Sequence, residues 1–151
     1  MEVDTTLALA EHDNIVAMKE ASGNLAQIAE IIRRRPAGFS VLSGDDPLTL
    51  GVMMHGGEGI ISVVSNAAPA SMRALAAAAA AGDLARAREL HDRLSPLFAA
   101  AFVESNPIPI KAALAMMGRI GNVLRLPLVP LEARHERTLH AALVVAGVLA
   151  A

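Results

Sequence analysis

The sequence contains no cysteine, tryptophan or tyrosine, and only three phenylalanines among its 151 residues. Without cysteine the chain can form neither disulfides nor thiolate metal sites, which fits a reducing compartment such as the cytoplasm. With so few aromatic rings it lacks the stacking platforms that RNA-binding and single-strand-binding domains use. Charge is balanced as well, with 13 Lys+Arg against 15 Asp+Glu and a net charge of -2. We therefore expect a cytoplasmic protein that does not bind nucleic acid.

Long apolar runs and the marks of export are also missing. The longest apolar stretches, residues 74–81 and 141–151, fall short of the roughly 18 residues that a membrane span requires. Glu2 and Asp4 stand where a secretory signal would carry positive charge. Hydrophobic residues nevertheless make up 54% of the chain, enough to build a core. The sequence predicts a folded protein with no export signal and no membrane partner.

Three apolar segments in the first part of the chain each precede a segment with helical periodicity. The predicted strands are residues 15–18, 39–42 and 59–64, and the predicted helices after them cover 25–35, 46–55 and 69–82. Apolar strands that alternate with helices are typical of a parallel sheet covered by helices. From residue 83 onward the pattern is helical only. We therefore predict two domains, an α/β domain over 1–82 and a helical domain over 83–151.

The helix signals between the first two strands are the clearest. Asn24 is a good N-cap residue, and apolar residues recur at helical spacing up to Arg35, which precedes a proline. Arg33, Arg34 and Arg35 could form an anion-binding patch. Three cations at the carboxyl end of a helix already have a structural reason, because they face the negative end of the helix dipole. We favour the structural interpretation.

Lys19 is the strongest candidate for chemistry. It follows the first predicted strand at its carboxyl end, where active sites form in α/β folds. Burial there would disfavour the ammonium form and leave a neutral amine that can attack a carbonyl and form a Schiff base. The alternative, and the commoner fate of a lysine, is that Lys19 is solvated or pairs with Glu20.

Polar and glycine residues also follow the other two predicted strands. In the run Ser43 to Asp46, Gly44 would let the backbone approach a ligand closely, although the same run is also typical of a tight turn with Asp46 as a helix cap. Ser62, Ser65 and Asn66 place polar groups at the carboxyl edge of the third strand. Because the carboxyl ends of parallel strands meet at one edge, we expect a pocket for a small ligand there. The five histidines show no metal-ligand spacing, so we predict no metal site.

Five motifs together resemble a known family. They are Asn14 to Asn24 (NIVAMKEASGN), Leu42 to Asp46 (LSGDD), Gly59 to Val63 (GIISV), Asn106 to Lys111 (NPIPIK) and Arg125 to Pro130 (RLPLVP). In order and spacing they resemble the 4-hydroxy-tetrahydrodipicolinate synthase (dihydrodipicolinate synthase) family of pyruvate-dependent class I aldolases. N-acetylneuraminate lyases and 2-keto-3-deoxy sugar-acid aldolases share the lysine strand but usually differ around the second and fourth motifs. The activity of one of these enzymes is the alternative function.

The resemblance implies a reaction and a site. Lys19 corresponds to the lysine that forms an imine with pyruvate, Gly44 to a residue of the loop after the next strand, and Ile61 to a residue that lines the pyruvate pocket. The enzyme would be a lyase that condenses pyruvate with aspartate semialdehyde in lysine and diaminopimelate biosynthesis. It would need no metal and no organic cofactor, because the imine formed by Lys19 is the electron sink.

The resemblance also implies that part of the fold is missing. Residues 1–82 correspond to strands six to eight of a (β/α)8 TIM barrel, and residues 83–151 to the helical C-terminal domain. The family's carboxylate-binding loop, catalytic tyrosine and substrate-binding arginine lie in the first five strands and have no counterpart here. We therefore expect the isolated chain to be inactive and to form a homo-oligomer or to bind a partner that carries the other half barrel. The alternative is a non-catalytic truncated or split-subunit module.

Overall fold

The computed structural model describes residues 1–150 and contains one parallel sheet and several helices. The sheet has the strand order β1-β2-β3, with β1 at Ala17–Glu20, β2 at Ser40–Ser43 and β3 at Gly59–Ile60. The helices are α1 (Val3–Leu9), α2 (Leu25–Arg34), α3 (Thr49–Met54), α4 (Pro69–Ala80), α5 (Leu84–Ala100), α6 (Ile108–Met116) and α7 (Ala133–Val145). Single 3-10 turns lie at Asp46–Leu48 and Val64–Asn66. Within residues 1–150, no helix combines the length and the hydrophobicity that crossing a membrane requires.

The chain forms two compact units. The first comprises Met1–Ser62 and Leu75–Ala87, and it holds the sheet together with α1, α2 and α3. The second comprises Val63–Ala74 and the chain from Arg88 onward, and it holds α6 and α7. Both units are therefore built from two separate chain segments. The predicted domains, 1–82 and 83–151, are contiguous, and that division stays a prediction.

One face of the sheet packs against helices and forms the core of the first unit. Ile28 and Ile31 of α2, Val41 of β2 and Val52 of α3 are almost fully buried in this cluster. Val41 can reach it because side chains alternate between the two faces of a strand. The sequence of α2 is amphipathic because one side of this helix packs against this face of the sheet.

The opposite face of the sheet is open, and this corrects one expectation. The sequence predicts a buried first strand at 15–18, but β1 begins at Ala17, and both Ala17 and Lys19 are exposed. In the register of the three strands, Lys19 lies beside Leu42, and Leu42 lies beside Gly59. These residues therefore share one face of the sheet. Strand periodicity predicts which residues share a face, whereas burial depends on what covers it. On this face Ala17 and Lys19 are exposed, whereas Leu42 is only partly buried and Gly59 is buried.

The capping of α2 agrees with the sequence. The side chain of Asn24 accepts a hydrogen bond from the Gln27 N–H at 3.2 Å, so the predicted N-cap is confirmed. Each arginine at the other end has a carboxylate partner: Arg33 pairs with Glu30 at 2.6 Å, Arg34 with Asp4 at 2.9 Å and Arg35 with Glu58 at 2.6 Å. The structural interpretation of the three arginines is therefore supported.

Glu58 joins the start of β3 to β2 and to α2. Its carboxylate accepts hydrogen bonds from Arg35 at 2.8 Å and from the Val41 N–H at 2.9 Å, while its own N–H donates to the Val41 carbonyl. Burial raises the pKa of Glu58, but the hydrogen bonds and the charge of Arg35 lower it by more. The net pKa lies below the ordinary 4.5. Glu58 therefore stabilises the fold above pH 4.5, and the contribution is lost as pH falls through the lowered pKa.

We expect Glu58→Gln to lower stability at pH 7 by at most about 1 kcal/mol, because the carboxylate is partly exposed and screened by solvent. This gap in the free energy of unfolding between wild type and variant should close in acid, once the wild-type carboxylate is protonated. Urea denaturation across the acid range measures both curves. Glu11→Gln is the control, because Glu11 is exposed. A gap that stays constant with pH would contradict this account of Glu58.

Candidate active site

Lys19 lies near the carboxyl end of β1, and its side chain runs across Gly44, which follows β2. A Cβ atom placed on Gly44 would lie 2.7 Å from Cε and 2.9 Å from Cγ of Lys19. The backbone joins the same two segments, because the Gly44 N–H donates to the Glu20 carbonyl at 2.6 Å. Two of the candidate residues that the sequence singled out are thus in direct contact.

Position 44 requires glycine because neighbouring side chains leave no space for a Cβ atom, and not because of its backbone angles. Its φ is outside the left-handed region in which seven other glycines lie. Besides Lys19, the Cβ of Ala21 would stand 2.8 Å from an added Cβ. The sequence predicted a glycine that lets the backbone approach a ligand. In the structure, the group that packs against Gly44 is the stem of Lys19.

Ile61 is the first residue after β3, and its side chain is 48% exposed. Its N–H donates to the Ser43 carbonyl at 2.8 Å and so extends the pairing of β2 with β3 by one residue. The next residue, Ser62, donates a hydrogen bond through Oγ to Oδ1 of Asp46, which is 1% exposed. The sequence allows Asp46 to be a helix cap. In the structure the residue before the 3-10 turn is Asp45, and the Asp46 carboxylate joins the segments after β2 and β3, which carry Gly44 and Ile61.

The expected burial of Lys19 needs correction. Of the two alternatives, solvation and pairing with Glu20, its exposure fits solvation. Lys19 is exposed and not buried, because the sheet face on which it lies is open in this chain. It also does not pair with Glu20, whose side chain lies on the other face and is 2% exposed. Successive residues of a strand point to opposite faces, so strand geometry disfavours a pairing between neighbours 19 and 20.

Two features of the site were not found from the sequence. Asp45 is half-buried, and burial raises the pKa of its carboxyl, with the charge of the adjacent Asp46 raising it further. A cavity of about 140 Å³ lies beside Lys19 and is lined largely by apolar groups, among them Leu9, Ile15 and Ala17. The cavity could not be predicted because it depends on how α1 packs beside β1.

The fold and the site define a class. This is an α/β protein whose parallel sheet presents a lysine, packed on a glycine, near the carboxyl ends of its strands. Residues 1–146 match the profile of the dihydrodipicolinate synthetase family. The chain belongs to that family, and the resemblance seen in its motifs is confirmed.

Individual relatives agree with the family profile. The 4-hydroxy-tetrahydrodipicolinate synthase of Chloroherpeton thalassium is 50% identical over 150 residues, which cover 99% of this chain and 50% of the relative. The crystal structure of dihydrodipicolinate synthase from Aquifex aeolicus superimposes with a TM-score of 0.93 at 44% identity, over 97% of this chain and 50% of that one. The crystal structure of the chloride-inhibited dihydrodipicolinate synthase from Acinetobacter baumannii, complexed with pyruvate, superimposes with a TM-score of 0.94 at 39% identity. The match covers 98% of this chain and 51% of that one. This chain spans about half the length of the relatives it matches.

Proposed function

We propose that this chain is the lysine-bearing part of a 4-hydroxy-tetrahydrodipicolinate synthase and that Lys19 forms the imine with pyruvate. The observation that carries the proposal is the packing of the Lys19 stem on Gly44, on the open face of a parallel sheet. Relatives of this name match the chain from end to end, and one matched enzyme structure contains pyruvate. Gly44 and Ile61 are proposed to form the pyruvate pocket around Lys19.

The proposed reaction uses the Lys19 amine as nucleophile. The nitrogen attacks the ketone carbon of pyruvate, and the ketone oxygen leaves as water. With one proton taken up from solvent, this gives a protonated imine. Loss of a proton from the methyl carbon yields an enamine. That carbon then attacks the aldehyde carbon of aspartate semialdehyde, and the aldehyde oxygen takes up a proton. The protonated imine accepts the electron pair, so the proposal requires neither a metal nor an organic cofactor.

The proposal includes a partner for the sheet. We assign β1, β2 and β3 to strands six to eight of a (β/α)8 barrel, with the first five strands supplied by another polypeptide segment. Three parallel strands cannot close into a barrel, and the outer strands leave unpaired backbone groups at two edges. Val16, which precedes β1 on one of these edges, is 64% exposed. A chain without that partner is expected to associate with copies of itself.

Trapping with borohydride tests the role of Lys19. The chain is combined with the first half of a relative, such as the Chloroherpeton synthase, and treated with pyruvate and borohydride. We expect a reduced pyruvate adduct on Lys19, located by peptide mass spectrometry, and its complete loss in Lys19→Ala.

Lys111 is the natural control for this experiment, because it is the only other lysine in the chain. It lies in α6, and its ammonium donates to the Val123 carbonyl. Lys111→Ala should leave the adduct unchanged. An adduct mapped to Lys111, or none on Lys19, would overturn the assignment.

A non-catalytic module is the second candidate, favoured by the fact that the chain spans about half the length of its relatives. It predicts that the chain binds the supplied half barrel but forms no adduct. Both candidates predict binding, which size-exclusion chromatography of the same mixtures reports. They differ in the adduct, which a bound chain forms on Lys19 only if it is the enzyme.

A further inference from the structure

The proposed chemistry makes no use of Glu20, a buried carboxylate next to Lys19. Its side chain is 2% exposed. One oxygen, Oε2, accepts hydrogen bonds from the Ser22 hydroxyl at 2.9 Å and the Ser22 N–H at 3.2 Å. The other, Oε1, accepts from the Ser22 N–H at 3.3 Å and from Gln27 Nε2 at 3.5 Å. All these donors, among the described residues, are neutral.

These hydrogen bonds continue into the turn between β1 and α2. The Ser22 hydroxyl oxygen also accepts from the Asn24 N–H at 3.2 Å, and Asn24 in turn caps α2 through the Gln27 N–H. On its backbone side, the Glu20 carbonyl accepts the Gly44 N–H. Glu20 is therefore held from two directions, by the turn into α2 and by the segment after β2.

A buried carboxylate is costly unless its oxygens are hydrogen bonded, and without a cationic partner it is a poor source of stability. Several short-range hydrogen bonds do, however, fix the orientation of a chain segment. Lys19 precedes Glu20 directly, so the position of its Cα follows that of Glu20. The Gly44 segment, on which the Lys19 stem rests, is bonded to the same residue.

We propose that Glu20 is a positioning residue, whose carboxylate holds the end of β1 and its turn so that Lys19 lies over Gly44. The proposal rests on the assignment of Lys19 as the imine lysine. Because the donors that bond its carboxylate are neutral, a neutral side chain of the same length breaks no ion pair with them. Glutamine keeps the length and one acceptor oxygen, whereas alanine leaves the Ser22 groups without their acceptor.

The first test compares Glu20→Ala and Glu20→Gln in the borohydride experiment, with the half barrel supplied. Misplacement of a reacting group by about 1 Å can cost about 100-fold in rate. We expect Glu20→Ala to trap pyruvate on Lys19 at least about 10-fold more slowly than wild type, and Glu20→Gln to stay within about 3-fold of it.

Ile28→Ala is the matched control for stability, because Ile28 is 1% exposed in the core beneath α2. It should lower the melting temperature and yet trap pyruvate at the wild-type rate below that temperature. A wild-type rate in Glu20→Ala would overturn the proposal, and so would a Glu20→Gln variant as slow as Glu20→Ala.

Amide hydrogen exchange on the full chain tests Glu20 without pyruvate. In Glu20→Ala the amides of Ser22 and Gly44 should exchange at least about 10-fold faster, while the Val41 amide, bonded to Glu58, keeps its rate. Unchanged protection at Ser22 and Gly44 would overturn the role of Glu20. If wild type forms no adduct while exchange responds as expected, the assignment of Lys19 fails and the local role of Glu20 stands.

Discussion

Gly44→Ala is expected to slow adduct formation at Lys19 by about 100-fold, since a shift of about 1 Å in a reacting group has effects of this size. An added Cβ would lie 2.7 Å from Cε and 2.9 Å from Cγ of Lys19, and 2.8 Å from the Ala21 Cβ. Cε is the flexible end of the side chain and can swing away. Cγ can move away only by a change of χ1, which redirects the whole side chain, and the Ala21 Cβ can move only with its backbone. In either case Lys19 is displaced.

The control for Gly44→Ala is Gly121→Ala. Gly121 has ordinary space around it, with its nearest neighbour, Val123, 3.8 Å from an added Cβ, and its φ is outside the left-handed region. It should therefore accept alanine with no effect on Lys19. Time-resolved trapping of both variants by mass spectrometry makes the comparison. Adduct formation at the wild-type rate in Gly44→Ala would show that the contact with Lys19 does not matter.

The isolated chain is expected to show no measurable condensation of pyruvate with aspartate semialdehyde, and addition of the first half of a relative's barrel should restore it. Acid–base relay typically contributes about 100-fold to 10,000-fold, and substrate positioning contributes more. The relay group that the resemblance implies is a tyrosine, and this chain has no tyrosine. A steady-state assay of product formation, with and without the supplied half, measures the difference.

Lys19→Ala combined with the supplied half barrel serves as the negative control for that assay. It should be as inactive as the isolated chain, because the imine cannot form. Robust turnover by the 151 residues alone would contradict the proposal that the site is shared with another segment.

The sequence predicts best those features that depend on neighbours along the chain. The start of α2 is an example, because its N-cap, Asn24, bonds to an amide only three residues away. The edges of β1 differ from the prediction by two residues, since residue pairing with β2 begins only at Ala17. Of the apolar residues before it, Val16 contributes its carbonyl, which accepts the Ser40 N–H at 2.9 Å. A run of apolar residues reports hydrophobicity, while a strand is defined by its pairing.

The candidate site divides in the same way. Strand ends in parallel α/β folds meet at one edge, and this general rule is enough to predict from the sequence that Lys19 and Gly44 lie near each other. The rule gives no distance, so the packing of the Lys19 stem on Gly44 was not predictable. The sequence also contains no sign that Glu20 is buried, because its pattern treats Glu20 like any other residue on that face of the strand. Its role depends on hydrogen bonds to Ser22 and Gln27, which form only when the turn into α2 has its folded shape.

The way in which the chain builds its two units has a consequence for recombination between relatives. Helix α4 belongs to the second unit up to Ala74 and to the first from Leu75 onward. A single crossover within the helix would give each unit residues from both parents. Exchange of one whole unit would need crossovers near residues 62, 74 and 87 together. Descendants of single crossovers must therefore keep compatible core residues on both sides of the exchange, and this restricts which pairs of parents can yield a folded chimera.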